Sequence, residues 1–107
     1  MIVKRRDRRY LMWQVTNPDT GEIQDLTAAT VKLLVREQYS NDTPTEYPMV
    51  VEDPPTSGIV KYWYDGTIDA GTYEIESEAT IPGSPSSIII TSPTEGYNIL
   101  QVEPDLG

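Results

Sequence analysis

The chain of 107 residues contains no cysteine and no histidine. Without cysteine there is no disulfide framework, thiol nucleophile or zinc–thiolate site. Without histidine the commonest general base and the commonest transition-metal ligand are missing too, so every catalytic triad that relies on either residue is excluded. Long apolar runs are also absent. Leu33-Leu34-Val35 and Ile88-Ile89-Ile90 are the longest purely aliphatic stretches, far short of the roughly 18 residues of a membrane span. Positive charge is scarce: 8 Lys and Arg stand against 17 Asp and Glu, for a net charge of −9. A nucleic-acid surface covering the domain is therefore not expected.

What charge there is lies unevenly. Lys4, Arg5, Arg6, Arg8 and Arg9 place five of the eight bases in the first nine residues. From Tyr10 onward there are 3 basic and 16 acidic residues, a net of −13. The chain divides into a basic N-terminal arm or edge extension, residues 1–9, and a single acidic domain, residues 10–107. Arg8-Arg9-Tyr10-Leu11 is superficially like a twin-arginine export signal. The following Trp13-Gln14-Val15-Thr16-Asn17-Pro18 alternates and then turns instead of supplying an apolar segment, so no signal peptide is expected. The arm is expected to dock on acidic surfaces, including a neighbouring copy, through an attraction that salt weakens.

The acidic domain is written in β grammar. Short runs of strand formers are separated by Pro, Gly, Asn and Asp, and nine prolines interrupt any long helix. In the first run, about Arg9–Thr16, Leu11, Trp13 and Val15 oppose Tyr10, Met12 and Gln14. A second strand is expected at Thr30–Glu37, with Val31, Leu33 and Val35 on one side and Lys32 and Arg36 on the other. Tyr39–Tyr47 reads as a loop and Met49–Val51 as a short strand. Ile59–Tyr64 follows Gly58. Thr72–Thr80 alternates most regularly, Tyr73, Ile75, Ser77 and Ala79 facing one way and Glu74, Glu76 and Glu78 the other, the pattern of a strand with one wet face. Pro82–Pro85 makes a tight connection, and Ser87–Thr91 and Tyr97–Val102 close the chain. About seven strands in this length predict an all-β fold, an antiparallel immunoglobulin-like sandwich first and a small β-barrel second.

Three phrases in this order carry a family resemblance. The first is Pro18-Asp19-Thr20-Gly21 with Asp25-Leu26-Thr27-Ala28-Ala29-Thr30-Val31. The second is Gly58-Ile59-Val60-Lys61-Tyr62 followed by Asp69-Ala70-Gly71-Thr72-Tyr73. The third is Thr94-Glu95-Gly96-Tyr97-Asn98-Ile99-Leu100. Together they resemble the immunoglobulin-like N-terminal domain of phage baseplate upper proteins and related small phage and prophage virion proteins. The family often has glycine where Ala28 stands. The resemblance implies a non-enzymatic component of a tailed-phage or prophage virion, made in the bacterial cytoplasm. Its partners would be other virion proteins or copies of itself, with no cofactor and no catalytic residues.

Candidate sites follow from chemistry. Asp65 and Asp69 in a Gly-bearing loop, and Glu52-Asp53 before Pro54, are oxygen donors of the kind calcium takes, but they lack the spacing of a helix-loop-helix calcium site. Glu74, Glu76 and Glu78 read as solvated rather than as a hydrolytic pair, with the basic arm as a possible neutralising partner. Leu26 and Ala29 form an expected buried corner, and Tyr97 is expected to bury its ring and bond backbone through its hydroxyl. No metal site is expected. The candidate interface comprises Arg5, Arg6, Arg8 and Arg9 of the arm with Tyr62, Trp63 and Tyr64, of which the middle ring must point opposite to its neighbours. Those aromatics also fit an alternative, a carbohydrate-binding or adhesive module whose partner is a glycan.

Overall fold

The computed structural model describes residues 1–83, 85–93 and 97–105. Thr94-Glu95-Gly96 of the closing phrase and Ser84 of the tight connection lie outside the described residues. The fold is all-β, with eight strands among the described residues, in chain order: β1 Ile2–Lys4, β2 Arg9–Gln14, β3 Thr30–Glu37, β4 Thr45–Val51, β5 Ile59–Tyr64, β6 Gly71–Ile81, β7 Ile88–Ser92 and β8 Asn98–Glu103. Hydrogen bonding joins them in the order β1-β8-β6-β3-β4-β5-β2, with β7 also on β6.

Alternating side chains decide which faces meet. Val31, Leu33 and Val35 of β3 share the interior with Ile75 and Ala79 of β6 and with Leu100 and Val102 of β8. Leu11 approaches from β2 and Val15 from just beyond its end, and Val60, Tyr62 and Tyr64 from β5. Period two in the sequence therefore becomes one buried face per strand. The two ends of the sheet path fold toward each other, so that Trp13 Nε1 of β2 donates to Ser77 Oγ of β6 at 3.0 Å although those strands are not neighbours. Ser77, a buried polar residue among apolar ones, thereby has its partner. Leu26 is buried and Ala29 packs against the same core.

The expectation of two antiparallel sheets is met only in its coarser part. The strands form one mixed sheet that curls into a half-barrel, and β1 pairs parallel to β8, with Ile2 opposite Gln101 and Lys4 opposite Glu103. The sheet is continuous because of β4, which contains the short strand expected at Met49–Val51 and begins earlier, inside the segment read as a loop. Residues Thr45–Met49 pair with β3, whereas Val50 and Val51 pair with Lys61 and Val60 of β5. Polar residues and Pro48 disguise this strand in the sequence. The proline is tolerated because it lies in the part of β4 that pairs with β3, where β5 does not claim the other edge.

Ala28 supplies a test of local geometry. It sits at φ 60°, and the turn it makes closes with Ala29 N–H donating to Leu26 O at 3.0 Å. A left-handed conformation costs an L-residue roughly 1–2 kcal/mol that glycine avoids. Ala28→Gly is accordingly expected to stabilise the chain by about 0.5–1 kcal/mol in chemical denaturation, after the glycine's extra unfolded-state entropy is counted. A destabilised variant would show that the turn does not hold this conformation.

Candidate interaction surfaces

The candidate aromatics divide as strand alternation requires. Tyr62 and Tyr64 point inward and are buried, and so leave the candidate interface; Trp63, 47% exposed, points outward from β5. It stands opposite Tyr10 of β2, and the two rings meet edge to face with centroids 4.9 Å apart. Lys61 reaches over the other side of this patch, its Nζ 4.5 Å from the Tyr10 centroid. Glu52 holds Lys61 at 3.0 Å. Met12 and Val50, both exposed, stand opposite Lys61 from the two flanking strands. Two rings, a thioether and a branched aliphatic thus share one outward face. Tyr10, Met12 and Val50 were not among the sequence candidates, although the alternation of β2 already separated Tyr10 and Met12 from Leu11.

The basic leader is tied to its own chain. Its first half is β1, whose Val3 is buried. Lys4 pairs with Glu103 at 3.2 Å, Arg5 with Asp69 at 3.7 Å, Arg6 with Asp105 at 3.8 Å and Arg9 with Asp7 at 3.6 Å. Such exposed pairs contribute only about 0–1 kcal/mol each, but they show where the arm's acidic partners lie. Arg8 has no ion pair among the described residues. Arg5, Arg6 and Arg8 line an open groove with Asp65 and Gly66. Gly66 lies so close that a Cβ there would stand 2.7 Å from the Arg5 carbonyl oxygen.

The oxygen-rich loops have structural partners. Asp65 accepts the Thr67 N–H at 3.2 Å, while Asp69 and Glu52 take the ion pairs above. Asp53 is exposed beside them.

The glutamate face of β6 differs from the solvated row expected. Glu74, Glu76 and Glu78 are all half-buried, and β3, not the arm, supplies the cations. Register places Arg36 opposite Glu74 and Lys32 opposite Glu78. Arg36 donates to Glu74 at 2.8 Å, and Lys32 lies 3.6 Å from Glu78 and 2.7 Å from Glu46. Glu76 instead stands opposite Leu34. Partial burial, then the nearby Glu78 charge, push its carboxyl above its ordinary value, with Arg36 opposing. A raised folded-state pKa means stability that is complete below the unfolded pKa and is lost as pH rises through the folded one. Glu76→Gln is therefore expected to melt higher than the parent at pH 7, with the difference closing as pH falls through the carboxylate range. Parallel thermal melts from pH 7 to pH 4 measure it, and a constant difference would refute it.

Tyr97 corrects a second expectation. Its ring is 50% exposed and lies under the Arg36 guanidinium, 5.5 Å from its centroid. Leu100 and Val102 occupy the inner face of β8, so period two carries Tyr97 outward with Ile99 and Gln101. Hydroxyl-to-backbone bonds are made by other tyrosines: Tyr64 donates to Arg5 O at 3.2 Å and Tyr73 to Asp69 O at 2.8 Å.

These surfaces offer aromatic and charged contact area. Among the described residues no group of three or more Asp and Glu is placed to hold a metal ion, and no helix is long and apolar enough to cross a membrane. Comparison with family models, with curated proteins and with solved structures finds no match for this chain.

Proposed function

We propose that this chain is a non-enzymatic structural or assembly protein of a tailed-phage or prophage virion, in its tail, baseplate, neck or fibre region, and that it works through protein–protein contacts. The observation that carries the contact mechanism is the outward Trp63–Tyr10 pair, flanked by Met12 and Val50. A clustered Trp and Tyr on a rigid strand pair is the composition from which interface anchors are built, because large rings lose little rotamer entropy when they are covered. The virion assignment rests on the three phrases described above. The immunoglobulin-like reading of the half-barrel belongs to the same proposal: its support is the pair of facing apolar layers and the Trp13–Ser77 bond across them.

The exposed Trp63 also favours a second reading, a glycan-binding module, because an indole face stacks on a sugar ring. One experiment separates the two. A tagged chain is expressed in a lysogen, the prophage is induced, and particles are banded by density. The assembly reading expects the chain in the particle band and expects Trp63→Ala, checked for folding by circular dichroism, to reduce its incorporation by about tenfold, the loss of a single ~1.4 kcal/mol anchor. Absence from particles overturns it. Saturable binding on a glycan array, lost in Trp63→Ala, assigns the same face to carbohydrate.

A further inference from the structure

Sheet edges are where a β-protein is open to another strand, and this chain treats its edges unequally. The edge of β1 is only three residues long and is followed by Arg5 and Arg6; the Arg9 guanidinium donates to its Ile2 carbonyl at 3.0 Å. At the end of β2 the loop returns, Gln24 N–H donating to Val15 O at 3.0 Å, and Arg8 and Arg9 stand at its start. Strand β7 has no such device. It pairs with β6 on one side, and among the described residues no strand pairs with its other side. It carries no charge and no proline, and Ile88 and Ile89 are 54% and 61% exposed.

We infer that the outer edge of β7 is a self-association strand, on which a second copy of this chain pairs its own β7 antiparallel about a twofold axis near Ile90. The occupant follows from charge. Each copy carries −9, so two copies repel wherever their acidic surfaces approach. Residues 79–94 hold no Asp, Glu, Lys or Arg, the longest uncharged stretch of the chain. A charged partner would gain nothing here, whereas a second copy meets a strand as neutral as its own. The geometry is self-complementary, as a twofold contact must be. Pairing centred on Ile90 sets Ile89 opposite Thr91, so β-branched side chains from both copies meet on one face, and sets Ile88 opposite Ser92 on the face of Ile90. Ile90, buried in its own core, meets its equivalent on the other, which continues the interior across the junction. Pro85 and Pro93 bracket the segment and limit the pairing to these few residues. This goes beyond the assembly reading and stands on the β7 edge alone.

A five-residue edge covers far less than the roughly 800 Å² per partner of a stable complex, so the contact is weak, with a Kd of about 0.1–1 mM. Sedimentation equilibrium of the full chain up to about 1 mM is expected to show a monomer–dimer equilibrium, with amide exchange in Ile88–Ser92 slowing as concentration rises. Added salt should strengthen it by screening the −9 on each copy. Ile89→Lys, on an exposed side chain and verified as folded, should weaken the dimer by about tenfold or more, while Ile89→Thr retains it. A monomer at every concentration overturns the inference, and so does a dimer untouched by Ile89→Lys. Association that salt weakens, and that Arg5, Arg6 and Arg8→Ser abolish, also overturns it by assigning the contact to the basic groove. A chain that stays monomeric yet bands with particles removes the β7 edge and leaves the assembly reading in place.

Discussion

Tyr64→Ala is expected to lower stability by about 3–5 kcal/mol, the range of large aromatic truncations in a core. For a domain near 100 residues that lowers the melting temperature by roughly 15 °C or more. Tyr64 is 0% exposed and heads the largest fully buried side chains. Its loss removes the ring, opens a cavity beneath the β1–β2 connection and frees the Arg5 carbonyl that its hydroxyl holds. Tyr64→Phe isolates the hydroxyl and should cost about 1 kcal/mol, the net worth of one hydrogen bond. The same burial raises the phenol's pKa. Its contribution is then complete below the unfolded value and is lost as pH rises through the folded one. The parent should lose stability above roughly pH 10 more steeply than Tyr64→Phe. Chemical denaturation at pH 7 and thermal melts from pH 8 to pH 11 check both parts. A Tyr64→Ala loss under about 1 kcal/mol would mean the ring is not part of the core. Tyr64 also holds the backbone of the segment that carries Arg5, Arg6 and Arg8.

Leu33→Ala is expected to cost about 2–5 kcal/mol, by lost transfer energy and by the cavity left behind. Leu33 is fully buried and lies opposite Tyr47 of β4 on one side and Ser77 of β6 on the other. Three strands around it limit how far the site can collapse. Leu34, its neighbour, faces outward and is half-buried opposite Glu46 and Glu76. Leu34→Ala should cost about 1 kcal/mol or less, and the contrast between adjacent leucines measures the face assignment of β3. Equal losses, read from urea midpoints at unchanged slope, would overturn that assignment.

Much of this was readable from local pattern. Val31, Leu33 and Val35 against Lys32 and Arg36 placed β3 at Thr30–Glu37, the bounds observed. Ile59–Tyr64 was legible in the same way, and the alternation within Tyr62-Trp63-Tyr64 already required the middle ring to part from its neighbours. Strand β4 was legible only at its end, where Met49–Val51 was read as a short strand. Thr45, Glu46 and Pro48 carry turn-like chemistry, and only the pairing of Thr45–Met49 with β3 makes them a strand. Strand β1 was hidden too, because a three-residue segment before a run of arginines has no periodicity to read. The candidate contact face was half legible: Trp63 was named, while Tyr10, Met12 and Val50 joined it only through the register of β2, β5 and β4.

The absence of cysteine and histidine, with the division of charge into a basic leader and an acidic body, is a property of the sequence alone, and it excludes the same chemistry in any fold. The sequence by itself also determined the all-β character, through side chains that alternate every second residue and turns that interrupt them. The tertiary structure alone decided how the charges are used. Register set Arg36 and Lys32 against Glu74 and Glu78, left Glu76 facing Leu34, and brought Glu103, Asp69 and Asp105 within reach of the leader. Those pairings join residues up to nearly the full chain length apart. The physical reason is range: alternation and turn preference act within a few residues, whereas register depends on how whole strands share one buried face.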